Sequence, residues 1–136
     1  MLEGRWFAVD GASAEALAAL RVVSPMSLPE SYFALLAFSN GGEGPLCVQP
    51  LWLSLFPAEE VVRLQLAGTF RESHPNLLVI GSNGAGEAVA FDLGTPEPYT
   101  VVAFDMSNGE QGEGVQPMAE SFDRMLELIG YDEELT

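Results

Sequence analysis

Leu28-Pro29-Glu30-Ser31-Tyr32, continuing through Phe33-Ala34-Leu35-Leu36-Ala37-Phe38 into Ser39-Asn40-Gly41-Gly42-Glu43, reads as a helix with its start and its stop written beside it. Ser27 and Glu30 have capping-box spacing, and Pro29 is tolerated in a first turn whose amides lack intrahelical partners. Asn40-Gly41-Gly42 ends the run, because glycine enters the left-handed region without steric cost. Tyr32, Phe33, Leu35, Leu36 and Phe38 leave almost no polar face, so the helix is predicted to be buried on most sides.

A second stretch, Ile80-Gly81-Ser82-Asn83-Gly84-Ala85-Gly86-Glu87 leading into Ala88-Val89-Ala90-Phe91-Asp92-Leu93, reads as a hairpin. Its glycines suit a tight reversal between strands at 77–80 and 88–93. In the second of these Val89, Phe91 and Leu93 share one face, while Ala88, Ala90 and Asp92 share the other. A further strand is predicted at 99–104. The glycine pattern does not make a dinucleotide fingerprint, which needs a third glycine where Val89 stands and a helix where a strand follows.

Outward from these two stretches, residues 13–22 form a helix capped by Ser13, with Ala14, Leu17 and Leu20 on one side. Short apolar runs at 46–48 and 51–53 suggest strands joined at a bend by Pro50. Pro57 followed by Glu59 and Glu60 opens another helix, with Val61, Val62 and Leu66 as its apolar side and Gly68 as its stop. Met118, Phe122, Met125, Leu126 and Ile129 fall at helical spacing over 118–129, with Glu120 and Arg124 as an exposed i,i+4 pair and Gly130 as the cap. Residues 107–114 read as a mobile glycine and glutamate loop. The order implies a single α+β domain over 1–136, with helices packed on a small antiparallel or mixed sheet. Phe33, Leu36, Phe91, Phe122 and Leu126 are expected to lie buried together.

Together the Leu-Pro-x-x-Tyr helix ending in Asn-Gly-Gly and the glycine-rich hairpin leading into Ala-Phe-Asp-Leu resemble the SUKH superfamily, and within it the Smi/Knr-like domains, over residues 27–129. The resemblance implies a small sheet with helices wrapped against it, preceded by residues 1–26 as an N-terminal extension and helix. It also implies binding without catalysis. Bacterial relatives are predicted immunity proteins that bind and block a cognate polymorphic or contact-dependent toxin, and eukaryotic relatives are regulatory interaction proteins linked to cell-wall assembly. Val89 departs from the pattern, standing where many relatives carry an aromatic residue, so a pocket at the hairpin would be shaped differently.

The 136 residues are one domain's worth of chain, and 48% hydrophobic content is enough for one core. Twenty acids against five arginines and no lysine give a net charge of −15. Such a surface repels nucleic acid and anionic membranes and attracts basic partners. Cys47 is the single cysteine, which rules out an internal disulfide and fits a reducing compartment, so a cytoplasmic location is expected. The N-terminus lacks a signal-like apolar region, and no stretch approaches the length of a membrane span.

No catalytic constellation stands out. Gly81-Ser82 fails the nucleophile elbow, and His74, the single histidine, has no triad or metal partner in view and reads as an exposed loop residue. Cys47 between Leu46 and Val48 reads as a small buried hydrophobe. Asp105, Glu110 and Glu113 lack calcium-loop spacing, since Glu110 stands where that loop needs glycine. Neither enzymatic activity nor a cofactor is expected.

The candidate partner-binding residues are Asn40, Glu43, Trp52, Asn83, Glu87, Glu110 and Glu113. Glu43 and Glu87 each follow turn glycines, where the turn itself has no use for a carboxylate. Trp52 fits either the core or a binding hot spot. The expected partner is a basic toxin domain, of nuclease or deaminase type. The alternative is a regulatory or small-ligand module using a crevice near the two Asn-Gly loops, with an unrecognised hydrolase third.

Overall fold

The computed structural model describes residues 4–107 and 114–131. Along the chain come α1 (Ala14–Val23), α2 (Glu30–Phe38), β1 (Gly42–Pro45), β2 (Trp52–Leu55), α3 (Ala58–Ala67), β3 (Leu77–Ser82), β4 (Glu87–Asp92), β5 (Thr100–Asp105), β6 (Gln116–Ala119) and α4 (Phe122–Leu128). The six strands lie side by side in chain order, and every neighbouring pair is antiparallel. This is the α+β architecture that the sequence implies, with the sheet antiparallel throughout.

One face of the sheet carries the main core. Leu53, Leu55, Leu78, Ile80, Val89, Phe91 and Val101 are buried there with Leu20 of α1, Tyr32, Phe33, Leu35 and Leu36 of α2, and Phe122 and Met125 of α4. Tyr32 lies among three rings, with centroids 5.2 Å from Phe91, 5.4 Å from Phe122 and 5.6 Å from Phe33. The expected group of Phe33, Leu36, Phe91 and Phe122 is buried as a unit, with Leu126 half-buried against it. Edge-to-face and tilted contacts of this kind add about 0.5–1.5 kcal/mol per pair beyond area burial.

The opposite face holds a smaller cluster of Val79, Ala88, Ala90, Val102 and Phe104, with Phe56, Phe70, Leu77 and Val115 against it. His74 belongs to this layer and corrects the expectation of an exposed histidine. It is only 4% exposed, its ring centroid lies 4.1 Å from that of Phe104, and its amide donates to the Phe70 carbonyl. The connection after α3 closes as a turn that folds Phe70 and His74 onto the sheet. Position in a loop did not mean exposure, because both rings pack on Phe104 of β5, with Phe70 at 5.6 Å and His74 at 4.1 Å between centroids.

Several local expectations change. The capping box at Ser27 does not form: Pro29 is the N-cap of α2 without a side-chain bond, and Glu30 instead takes both Arg21 guanidinium nitrogens at 2.7 and 2.9 Å. Phe38 and Leu66, read as apolar-face residues, are 49% and 70% exposed. The strands expected at 46–48 and 51–53 sit at Gly42–Pro45 and Trp52–Leu55, and the apolar run Leu46-Cys47-Val48 forms the link between them. That link is buried against the chain after α4, with the Cys47 amide donating to the Leu128 carbonyl and the Gly130 amide to the Pro45 carbonyl.

Met118 belongs to strand β6, and α4 begins only at Phe122, capped by the Ser121 hydroxyl. Arg124 accordingly pairs with Glu127, in place of the expected Glu120. Cys47 is buried as expected. Most of the glycine and glutamate loop expected at 107–114 lies outside the described residues.

Ahead of α1 the chain runs as a strap along the outer edge of β1. Phe7 and Glu43 form an isolated antiparallel bridge, the Arg5 amide donates to the Gly130 carbonyl, and the Asn40 amide donates to Asp10. Trp6 points inward over the glycines of β1: a Cβ at Gly44 would come within 2.7 Å of the Trp6 ring. The strap thereby covers an edge that would otherwise offer unpaired backbone groups to other chains.

Candidate functional site

The strap and the β1–β2 pair bring three side chains together on the outside of the sheet. Trp52 alternates with the buried Leu53 and Leu55, so the strand's two-residue period turns the indole away from the core. Its Nε1 donates to Glu43 Oε1 at 3.1 Å across the strand pair. Phe7 reaches the same place from the strap, its ring centroid 6.4 Å from that of Trp52 at 32°. At 63% exposure Phe7 is among the most exposed large apolar side chains of the molecule.

Next to this trio lies an open groove of about 710 Å³ lined by Val9, Asp10, Gly11, Asn40, Pro57, Glu59, Glu60 and Arg63. Asn40 builds one wall by capping α3 from a distance: its Oδ1 accepts from the Ala58 amide at 2.7 Å, and its Nδ2 donates to Glu59 Oε1 at 2.8 Å. Pro57 is the formal N-cap of that helix and has no side-chain bond to offer. The Asn40 amide, followed by the backbone of Glu59 itself, holds the Glu59 carboxyl below its ordinary range. Arg63, the one basic residue in the lining, is engaged by Glu60. The groove is therefore acidic.

Of the residues singled out from sequence, Asn40, Glu43 and Trp52 thus fall on one side of the molecule, with Asn40 occupied in capping. Asn83 and Glu87 sit at the β3–β4 hairpin. Asn83 Oδ1 accepts from the amides of Ala85 and Glu87, closing the turn. Glu87 stands across from Asp105 in the β4–β5 register, which places two acids at that end of the sheet. The Ser107 hydroxyl and amide both donate to Asp105 and hold its carboxyl below the ordinary range. Asn83 is not part of the groove that Asn40 lines, so the expected crevice is not shared by the two Asn-Gly loops. Glu110 and Glu113 lie outside the described residues.

Phe7, Asp10 and Glu59 were not among the sequence candidates. Phe7 carried a readable signal, since Trp6 inward and Phe7 outward is the two-residue alternation of a strand. Nothing local in the sequence marked Asp10 or the Asn40–Glu59 contact, which depend on chain segments meeting in the fold.

The chemistry on this face consists of carboxylates, amides and aromatic rings, which suits recognition. Among the described residues, no group of three or more His, Cys, Asp or Glu side chains is arranged to hold a metal ion, and no helix is long and apolar enough to cross a membrane. No curated protein matches the chain. The model of the SMI1 / KNR4 family (SUKH-1) matches residues 11–128, from the end of the strap to the last turn of α4. That match takes in both motif stretches, the Glu43–Trp52 pair and the groove lining from Gly11 onward, and on it the chain belongs to the SMI1 / KNR4 family (SUKH-1).

Proposed function

We propose that this protein is a non-enzymatic binding domain, specifically a bacterial immunity protein that captures a cognate basic toxin domain in the cytoplasm and blocks it. The observation that carries this reading is the exposed Phe7 ring and the half-buried Trp52 held to the Glu43 carboxylate, together with the acidic groove that Asp10 and Glu59 line. With a net charge of −15 and no lysine in the chain, such a face draws a basic partner over long range and offers it apolar area on arrival. On a nuclease or deaminase toxin, these carboxylates would occupy the positions that serve substrate phosphates. Membership of the SUKH-1 family supports the domain type.

The test is co-purification with the toxin domain encoded upstream, followed by an activity assay of that toxin. A stoichiometric complex that silences the toxin, with no turnover by this protein alone, is the expected result. Absence of any complex with neighbouring gene products would reject the immunity reading. It would leave the regulatory or ligand-binding alternative ahead, although the groove that reading would use is wide open to solvent and walled by acids.

A further inference from the structure

We propose that Phe7, Trp52 and Glu43 form a seat for one arginine or lysine side chain of the partner protein, an inference that deepens the binding-domain reading and rests on it. A cation is held best where a ring face and a carboxylate can reach it together, because the ring quadrupole and the anion attract the same charge. Here the two ring centroids are 6.4 Å apart and the planes are tilted by 32°, presenting two aromatic surfaces beside one carboxylate. The indole Nε1 donates to Glu43 Oε1 at 3.1 Å, which holds the carboxylate beside the rings. Donation from the indole N–H to an anion also enriches the ring in electron density, which favours a cation over its face.

The chain already uses this arrangement once within itself. The Arg21 guanidinium lies 3.8 Å from the Phe33 ring centroid while Glu30 takes two of its nitrogens. Ring, cation and carboxylate are all present there. At the Phe7, Trp52 and Glu43 trio the rings and the carboxylate are present, with Phe7 and Glu43 exposed and Trp52 half-buried, and they are set in a strongly acidic molecule. Phe7 contributes backbone bonds to β1 that any residue could make, so its exposed ring is left without a role in the sheet. Charge complementarity commits the occupant to a basic side chain of a protein partner. Arg21, Arg63 and Arg124 are engaged by Glu30, Glu60 and Glu127 respectively.

The probe is a hexa-arginine peptide titrated into the full-length protein labelled with nitrogen-15, with the two indole N–H signals read separately. A saturable shift of the Trp52 indole with little movement of Trp6 is expected. Glu43→Gln and Phe7→Ala, both at exposed positions, should each weaken that binding by roughly three- to tenfold while leaving the rest of the spectrum folded. Shifts spread evenly over all acidic surfaces, or unchanged affinity in both variants, would overturn the seat and reduce the effect to general charge attraction. The peptide titration needs no toxin, so the two readings can fail separately. A toxin captured with undiminished affinity by the Glu43→Gln and Phe7→Ala variants would defeat the seat and leave immunity standing.

Discussion

Tyr32 shows how a single side chain can mark the fold without belonging to the site. Its ring fills the centre of the main core, and its hydroxyl is buried without a hydrogen-bond partner among the described residues. Burial alone pushes its phenol pKa well up, so it stays protonated at any ordinary pH. A buried hydroxyl left unpaired costs about 1–3 kcal/mol. Tyr32→Phe is therefore expected to leave stability unchanged or raised, whereas Tyr32→Ala, which deletes the ring, should lose about 3–5 kcal/mol in denaturant unfolding. A Phe variant markedly less stable than the parent would show that the hydroxyl has a partner after all.

Glycines at this scale separate into two kinds. Gly84 has φ +75 and nothing within 4 Å of the place a Cβ would take, so only the backbone conformation resists substitution. Gly42 has φ +96, and its Cβ would meet the Phe7 carbonyl at 2.6 Å and Trp6 Nε1 at 2.9 Å. Gly84→Ala should cost about 1–2 kcal/mol, the usual penalty for left-handed backbone, and Gly84→Val more because of its branched Cβ. Gly42→Ala should cost clearly more than Gly84→Ala, as the strap must also move, and thermal melts of the two variants side by side will show whether the order holds. The Asn-Gly-Gly string was readable as turn chemistry, but the tight docking of the strap on Gly42 was not, because it depends on residues 35 positions away.

Among the elements, those with local instructions were the most legible. Ser13 caps α1 and Gly68 ends α3 in the left-handed conformation, as their sequence neighbours suggested. The three strands from β3 to β5 were legible through their two-residue alternation and the hairpin glycines. Strand β6 was not, because Met118 and Phe122 happen to be spaced like residues on one helix face. Pairing with β5, in which Val102 stands beside Pro117, decides its conformation from outside the segment. The run at 46–48 misled for a related reason: its apolar residues serve the contact with the end of α4, which local periodicity does not report.

The same limit explains Asn40, read first as part of a helix stop and a binding rim. Its cap on α3 joins two elements 18 residues apart. Asn40→Ala should lose about 1–2 kcal/mol, as other N-cap deletions do. A pH dependence follows from Glu59, whose folded-state pKa lies below its ordinary value of 4.5. The bond to Asn40 contributes fully above that value, and its contribution is lost as pH falls through the lowered pKa. The parent should therefore shed the Glu59 share of its advantage over Asn40→Ala as pH falls through that lowered pKa, and unfolding curves at about pH 7 and at acid pH will measure the narrowing. A gap that stays constant would mean that the cap acts through the Ala58 amide alone.

For the whole molecule the deciding property is where the charge lies. Residues 105–136 hold nine acids and one arginine, a net of −8, against −7 for the longer remainder. The long-range field is thus weighted towards the C-terminal part, while the aromatic rings proposed as the contact face lie on the strap and β2. These two regions should have separable kinetic roles. Charges on the approach path change the rate of encounter, whereas groups within the contact change how long the complex lasts. Glu110→Lys with Glu113→Lys should slow association with the basic toxin domain and leave dissociation nearly unchanged, the effect fading as the Debye length contracts from about 10 Å at 0.1 M salt towards about 3 Å at 1 M. Asp10→Lys, beside the groove, should also slow association but speed dissociation, because the reversed charge stays against the bound partner. Stopped-flow association and dissociation rates over a salt series distinguish these outcomes. If the Glu110 and Glu113 reversals accelerate dissociation while Asp10→Lys does not, the toxin is held by the C-terminal part of the chain, and the strap face has been assigned the wrong role.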